Sequence, residues 1–334
     1  MTRVYVEVSG ESLELARAEV DAVAGVLGGV ELQFVPGPVP LVVVELAREH
    51  VPALALRLAL ARRCLVDAPG GSGFDSPGSG PSLPGETASF RRLGSPSGGG
   101  DARGIDTAAR AWKAAGGRID LEHPGRRFWW YETDTASDQL LEEVALVDRH
   151  STSARRISAL PFRRPIGLAP RLARAAANLA RIAPGDRVLD PFLGTGALLA
   201  EAALFGARVT GIDREAGMVQ GANRNFTHLG VSAEHLVVGD SADVEFPGSA
   251  GPFDALLTDP PYGRASSTGG EAAESLAARI LPRWADRLRP TSFAVVILPG
   301  GEDPLEAPWH RVLAVPVRVH RSLTREFRVY RRTR

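Results

Sequence analysis

One segment has the residue types of a ligand-binding turn: Asp190-Pro-Phe-Leu-Gly194-Thr-Gly196, between a predicted strand and a predicted helix. Glycines let the backbone come close to a ligand, and a helix N-terminus offers free N–H groups. A dinucleotide-binding loop would carry a third glycine, and a P-loop would continue into Gly-Lys-Ser/Thr. This turn has neither feature. Its leading acid suits a positively charged ligand better than a pyrophosphate.

Two more acids end the next predicted strands along the chain. Asp213 closes the second strand and Asp240 the third. Open α/β sheets bind ligands at the carboxyl ends of their strands, where an acid can accept hydrogen bonds from ribose hydroxyls. We expect Asp213 to do this and Asp240 to hold an adenine amino group. Each acid alone could instead be a helix N-cap, but three on successive strand ends favour a nucleoside site.

The fourth strand ends in Asp259-Pro260-Pro261-Tyr262. The two prolines stop the strand and fix the backbone, so carbonyl oxygens point in set directions. An exocyclic amine of a base is a poor nucleophile because its lone pair is delocalised into the ring. Acceptors at Asp259 and the Pro260 carbonyl could bind both amine hydrogens, and Tyr262 could stack on a base taken out of its helix. A plain turn is the alternative.

The second half of the chain alternates strands with helices, which is typical of a parallel, doubly wound sheet. The predicted strands are 187–190, 208–213, 235–239, 253–258 and 292–298, and the predicted helices are 171–181, 197–205, 215–229 and 271–288. Two final strands, 311–320 and 325–332, form a predicted hairpin. The resulting fold class is α/β, with a Rossmann-like, seven-stranded sheet.

The first half has an irregular pattern that predicts a smaller α+β region. Strands are predicted at 4–8, 31–34 and 41–46, helices at 12–27, 51–63 and 106–115, and a hairpin at 118–122 and 128–132. A stretch rich in glycine, serine and proline over about 70–100 is predicted to be a flexible insertion, with a short strand at 90–93. The predicted domains are 1–66, 67–147 and 148–334.

Composition excludes some classes of protein. The 39 basic and 39 acidic residues balance, and Cys64 is the single cysteine, so neither an internal disulfide nor a cysteine-cluster zinc site can form. No apolar run reaches the ~18 residues of a membrane span. The first residues lack signal-peptide order, which predicts a cytoplasmic protein. Arginines cluster over 149–174, where planar guanidinium groups suit phosphates, although a solvated face is equally compatible.

Three stretches together resemble the amino-methyltransferases of the S-adenosylmethionine superfamily: DPFLGTGALLAEA, GIDREAGMVQGANRNF and TDPPYGR. Within this superfamily the chain is similar to the THUMP-type tRNA guanine-N2 methyltransferases, which act on the guanosine at tRNA position 10. The opening VYVEVSGESLELARAEV and the run that leads into the glycine-rich turn carry the same resemblance. It is specific over about 148–264 and looser over 1–66.

The resemblance implies S-adenosylmethionine as cofactor, and it implies roles for individual residues. The residues implied to bind this cofactor are Asp190, Phe192, Gly194, Thr195, Gly196, Asp213, Asp240 and Pro165, the last in a segment (165–170) that would close over the methionine end. The residues implied to hold the target base are Asp259, Pro260, Pro261 and Tyr262. No metal is expected. The family's THUMP domain, an RNA-binding module, is replaced here by a degenerate THUMP-like region.

The function predicted from these features is methylation of the exocyclic N2 of guanosine in RNA, with tRNA favoured. One alternative is a methyltransferase for rRNA guanine N2 or for the amino groups of DNA adenine or cytosine. Another is an RNA-binding protein with an inactive methyltransferase fold, and an NAD oxidoreductase is more distant still. The sequence leaves open the nucleotide, the number of methyl groups and the oligomeric state.

Overall fold

The computed structural model describes residues 1–9, 12–35, 39–68, 85–93, 103–131, 139–148, 155–164, 167–245, 252–261, 272–320 and 323–333. The chain divides into two compact units. The first contains Met1–Leu13, Leu27–Leu56 and Ala61–Val147, and the second contains Glu14–Val26, Arg57–Leu60 and Asp148–Arg334. Most of the predicted insertion at 70–100 lies outside the described residues. None of the helices in the described part of the chain is long and apolar enough to span a bilayer.

The first unit contains an eight-stranded sheet. Its strands are β1 (Thr2–Val8), β2 (Val30–Val35), β3 (Leu41–Leu46), β4 (Ala61–Asp67), β5 (Thr87–Leu93), β6 (Arg118–Ile119), β7 (Arg126–Tyr131) and β8 (Gln139–Leu146). Their order across the sheet is β2-β3-β1-β4-β8-β7-β5-β6. Helix α3 (Arg103–Ala114) contributes Trp112, which packs with Phe90 and Phe128 in a small apolar core.

Two predictions for this unit are wrong. The helix expected over 51–63 ends at Arg57 as α2 (Val51–Arg57), and β4 follows it. Strand β4 pairs with β1 and β8, and burial between these neighbours overrides the helical pattern. The hairpin expected over 118–132 is also absent, because β6 and β7 both run parallel to β5, which lies between them. Strand β8, which pairs with β7, was not predicted.

The second unit contains a seven-stranded sheet, as predicted. Its strands are β9 (Arg187–Asp190), β10 (Arg208–Asp213), β11 (His235–Val238), β12 (Phe253–Thr258), β13 (Leu288–Leu298), β14 (Trp309–His320) and β15 (Leu323–Arg332). Its helices are α1 (Leu13–Val26), α4 (Pro170–Leu179), α5 (Ala197–Leu204), α6 (Ala216–His228) and α7 (Ala273–Ala285). Helix α1 belongs to this unit from Glu14 onward. The order is β11-β10-β9-β12-β13-β15-β14, and β15 runs antiparallel to β13 and β14.

The order of the strands reverses between β9 and β12, which are parallel neighbours. A crevice opens at such a reversal because the connecting helices leave on opposite faces of the sheet, and ligands bind there. The central strands have mostly apolar, buried residues at their middle positions, as expected of strands covered on both faces. Leu189, Leu257 and Val295 are fully buried, and each such side chain contributes roughly 1.5–3 kcal/mol.

A buried polar network joins the early parts of the second unit to its main body. The Glu19 carboxylate of α1 accepts the backbone N–H groups of Ala59 at 3.0 Å and Leu60 at 2.9 Å. It also accepts Nδ2 of Asn178 on α4 at 2.8 Å. Arg57 donates to Asn178 Oδ1 at 3.2 Å and to the Ile182 carbonyl at 2.7 Å. Burial raises the pKa of Glu19 to about 7.

Candidate active site

The glycine-rich turn leaves β9 and starts α5. Gly194 and Gly196 have φ angles of +52° and +78°, in the left-handed region that side chains with a Cβ rarely adopt. A Cβ on Gly196 would also lie 2.8 Å from Cε1 of Phe226. The Leu193 N–H donates to the Ile212 carbonyl of β10 at 2.8 Å. Both backbone conformation and close packing therefore require glycine at position 196.

Asp190 ends β9 beneath this turn and is only 1% exposed. Its Oδ1 accepts the Phe192 N–H at 2.9 Å and the Thr258 hydroxyl at 2.6 Å. Burial raises the pKa of Asp190 to about 7, and the negative charges of Asp259 and Asp213 act in the same direction. The charge of this carboxyl group therefore changes close to neutral pH.

Asp213 ends β10 and supports the turn from the other side. Its Oδ2 accepts the Gly194 N–H at 2.9 Å, and its Oδ1 accepts the Glu215 N–H at 2.9 Å. Burial raises its pKa. Glu215, which sequence analysis did not single out, lines the same cavity as Asp213. The signal was present in the sequence, since Asp213-Arg-Glu215 brings a second acid to the same strand end.

Asp240 follows β11, and its Oδ1 accepts the Ala242 N–H at 2.8 Å. The next residue, Ser241, is buried and donates its hydroxyl to the Pro191 carbonyl in the glycine-rich turn. The end of β11 is thereby attached to the end of β9. Asp240 lies at the cavity that the other strand-end acids line.

One cavity of about 620 Å³ brings most of the predicted site residues together. This volume is in the range of small-molecule sites in proteins. The predicted residues that line it are Asp190, Phe192, Gly194, Thr195, Asp213, Asp240, Asp259, Pro260 and Pro261. Gly196 lies at a smaller neighbouring cavity. Tyr262 and Pro165 lie outside the described residues.

Asp259 directly follows β12 and forms an ion pair with Arg325 of β15. Arg325 Nη1 donates to Asp259 Oδ2 at 2.9 Å, and the arginine side chain is 2% exposed. Asp259 Oδ1 is buried and accepts no hydrogen bond within the described structure. Burial raises the pKa of Asp259 to about 6, while Arg325 opposes the rise. Sequence analysis missed Arg325 because it lies 66 residues further along the chain.

The segment 155–164, which precedes α4, is bound to the region of the glycine-rich turn by side chains of α6 and α5. Asn225 accepts the Phe162 N–H with Oδ1 and donates Nδ2 to the Phe162 carbonyl, both at 2.9 Å, and it also donates to the Thr195 carbonyl. Glu201 binds Arg155 and Arg174, each at 2.8 Å. The chain after this segment reaches the cavity, which Arg164, Gly167 and Leu168 line. The expectation from the resemblance that 165–170 covers a ligand stays a prediction, because residues 165 and 166 lie outside the described residues.

The strand order, the antiparallel β15 between β13 and β14, and a glycine-rich turn at the reversal define the class of the second unit. It has a Rossmann-like, doubly wound α/β fold with an antiparallel strand inserted near one edge of the sheet.

Comparison with known proteins shows which protein families this chain resembles. Residues 159–315 match the family model described as RMKL-like, methyltransferase domain. The tRNA (guanine(10)-N2)-dimethyltransferase of Methanothermobacter thermautotrophicus is 35% identical over 197 residues, which are 58% of this chain and 57% of that relative. The protein of that name from Pyrococcus abyssi is 47% identical over 109 residues, 32% of each chain. The crystal structure of TrmN from Thermus thermophilus aligns over 99% of both chains, with 21% identity and a TM-score of 0.49.

The matched regions confirm the predicted resemblance to the tRNA guanine-N2 methyltransferases. The matched regions cover about half of the length of the Methanothermobacter relative and about a third of the length of the Pyrococcus relative.

Proposed function

We propose that this protein is an S-adenosylmethionine-dependent RNA methyltransferase that methylates the exocyclic N2 of guanosine, with tRNA as its main substrate. The observation that carries the proposal is that the glycine-rich turn and Asp259-Pro260-Pro261 line one cavity. The expected cofactor site and the expected base-binding site would then be adjacent, as direct transfer requires. A cytoplasmic location is part of the same proposal.

The residues around the cavity fit the cofactor. S-adenosylmethionine, when bound, supplies an electrophilic methyl group on a positively charged sulfonium. Asp190, at the end of β9, provides negative charge near the turn, and Asp213 and Asp240 provide acceptors for the ribose and adenine ends. The second lone pairs on the Asp213 oxygens remain for this purpose, because each oxygen accepts one backbone N–H described here.

The residues of this chain would promote the reaction by holding the target amine. The buried Oδ1 of Asp259 is an acceptor without a donor in the described structure, and such a group costs about 1–3 kcal/mol. An N–H of the amine would satisfy it, and the Pro260 carbonyl is the second expected acceptor. These two contacts direct the nitrogen lone pair toward the methyl carbon. The N–C bond forms as the C–S bond breaks, and the nitrogen proton passes to Asp259 or to water. Proximity in the cavity provides most of the rate enhancement.

Two observations support RNA as the substrate. The relatives described above carry names that specify tRNA guanine N2. In addition, exposed arginines lie along the segment next to the cavity and on α6: Arg163, Arg164 and Arg224. The guanidinium groups of Arg164 and Arg224 each lie 5.6 Å from the centre of the Phe162 ring. Clustered guanidinium groups are suited to binding phosphates of a nucleic-acid backbone.

The proposal is tested by incubating the protein with methyl-labelled S-adenosylmethionine and unmodified tRNA, followed by nucleoside analysis. Label in N2-methylguanosine is the expected result. Parallel reactions with rRNA and duplex DNA identify the alternative substrates, and label in 5-methylcytosine would contradict the mechanism. Tight RNA binding without any transfer would favour the alternative of an inactive methyltransferase fold.

A further inference from the structure

The ion pair between Asp259 and Arg325 suggests a function for Arg325, a residue that lies outside every sequence motif described above. We propose that Arg325 is a positioning residue for methyl transfer: it binds Oδ2 of Asp259 and thereby reserves Oδ1 as the acceptor for the amino group of the target base. The inference rests on the proposed function, in which Asp259 receives that amino group.

The geometry separates the two oxygens of the carboxylate. Oδ2 is bound by Arg325 Nη1 at 2.9 Å, whereas Oδ1 is buried and has no donor in the part of the chain that the structure describes. A carboxylate that is not attached at Oδ2 could turn about its χ2 axis and exchange its oxygens, because this torsion is broad. A fixed contact at Oδ2 prevents this. The amine then finds an acceptor already in place, which is preorganisation.

Arg325 also controls the charge of Asp259. Burial raises the pKa of Asp259 to about 6, and the guanidinium group opposes that rise. An ionised carboxylate accepts a stronger hydrogen bond than a neutral acid does. Without the arginine, the pKa of Asp259 would be higher, and the protonated fraction of this carboxyl group would be a weaker acceptor.

The other charged groups around the cavity do not replace Arg325. Asp190 on β9 adds a negative charge, as do Asp213 and Asp240 further along the sheet edge. Arg279 on α7 and Arg164 also line the cavity, but both are exposed to solvent, where screening weakens their effect. Arg325 is the buried cation that contacts Asp259 directly among the described residues.

Arg325 reaches this position through the topology of the sheet. Strand β15 lies next to β13, which is itself next to β12. Glu326 of β15 is paired with Leu298, the last residue of β13. Arg325 therefore lies just beyond the end of β13, at the sheet edge where the parallel strands present their carboxyl ends.

The test compares the wild type with Arg325→Gln, which removes the charge, and Arg325→Lys, which keeps a cation. Arg328→Gln is the matched control, because Arg328 is equally buried on the same strand but binds Glu326 and the carbonyls of Gly301 and Glu302. Methyl transfer to RNA is measured from pH 5.5 to pH 9, and the carboxyl titration of Asp259 is followed by ¹³C NMR, with Asp259→Asn as the assignment variant.

For Arg325→Gln we expect turnover at pH 7 to fall by about 10–100-fold, mainly because the carboxylate of Asp259 is no longer fixed. Raising the pH should restore only the part of the loss that comes from protonation of Asp259. The pKa of Asp259 should rise by about 1 unit or more, while the affinity for S-adenosylmethionine changes little. For Arg325→Lys, the turnover at pH 7 and the pKa of Asp259 should lie between those of Arg325→Gln and the wild type. Arg328→Gln should keep the wild-type pH profile even if it melts at a lower temperature.

Two outcomes would overturn the inference. Arg325→Gln with an unchanged pH profile and an unshifted Asp259 titration would reduce Arg325 to a structural residue, whatever the loss of activity. A wild type that binds S-adenosylmethionine but methylates no RNA would instead overturn the proposed function and this inference with it.

Discussion

At the scale of single residues, the site is distinguished by carboxyl groups that ionise near neutral pH. Asp190 is almost fully buried at the end of β9, and burial raises its pKa to about 7. The pKa of Asp259 is raised to about 6 for the same reason. Removing a carboxylate from water favours its neutral form. The negative charge that Asp190 would offer to the proposed cofactor is therefore lost as the pH falls below neutrality.

We expect the affinity for S-adenosylmethionine to depend on pH through Asp190. The ionised form binds the positive ligand, so affinity should fall as pH drops through about 7, approaching about tenfold per pH unit. Binding at pH 6 should release a proton, which calorimetry in buffers of different ionisation enthalpy measures. Asp190→Asn should bind weakly and without this pH dependence. An equal dependence in that variant would assign the proton to another group.

We expect Asp259→Ala to lower methyl transfer by at least about 100-fold while S-adenosylmethionine still binds. The variant loses the acceptor for the target amine but keeps the glycine-rich turn. Asp254→Ala is a suitable control, because Asp254 lies on the same strand and accepts the Arg187 N–H away from the cavity. Single-turnover transfer and cofactor titration are the measurements. Comparable losses in both variants would point to general damage to β12.

At the scale of elements, the site depends on how strands end and helices begin. The turn after β9 is supported by Asp213, which accepts the Gly194 N–H, and by Asn225, which donates to the Thr195 carbonyl. Asp213 lies on β10 and Asn225 on α6, so each support comes from another element and not from the turn itself. The turn is therefore rigid only when β10 and α6 are correctly packed.

We expect Gly196→Ala to weaken cofactor binding strongly and to destabilise the protein. The left-handed backbone costs about 1–2 kcal/mol for alanine, and the new Cβ would lie 2.8 Å from Phe226. Gly230→Ala is the matched control, with φ +70° and no atom within 4 Å of its Cβ position. Denaturant unfolding and cofactor titration measure the two effects. Equal stability losses in both variants would show that the contact with Phe226 is relieved without cost.

At the scale of the whole molecule, the second unit is assembled from three separate parts of the chain. Helix α1 and residues 57–60 belong to it, and the network of Glu19, Asn178 and Arg57 joins them to α4. The predicted domain boundary at 148 would cut this network. A methyltransferase domain that began there would expose apolar surface of α4 and leave Asn178 without its partners from the beginning of the chain.

We expect the fragment 148–334 to unfold at a lower temperature than the full chain or to aggregate. A milder version of the same defect is Glu19→Ala in the full chain, which removes the acceptor of three buried donors and should cost about 2–4 kcal/mol. Glu14→Ala, at an exposed position of α1, should have little effect. Urea unfolding gives these values. A fragment as stable as the full chain would contradict the role of the network.

The sequence by itself determined the local parts of this protein. The bounds of β9, β10 and β12 agree with prediction, because each is a short apolar strand that ends in an acid or runs into Asp259. The acids and glycines of the site stand within a few residues of those ends, so their types and spacing could be interpreted without a structure. The tertiary structure decided which distant residues meet. Arg325 reaches Asp259 across 66 residues, β5 separates β6 from β7, and Glu19 reaches Asn178 across 159 residues. Such contacts arise from strand order and packing, and no local pattern contains them.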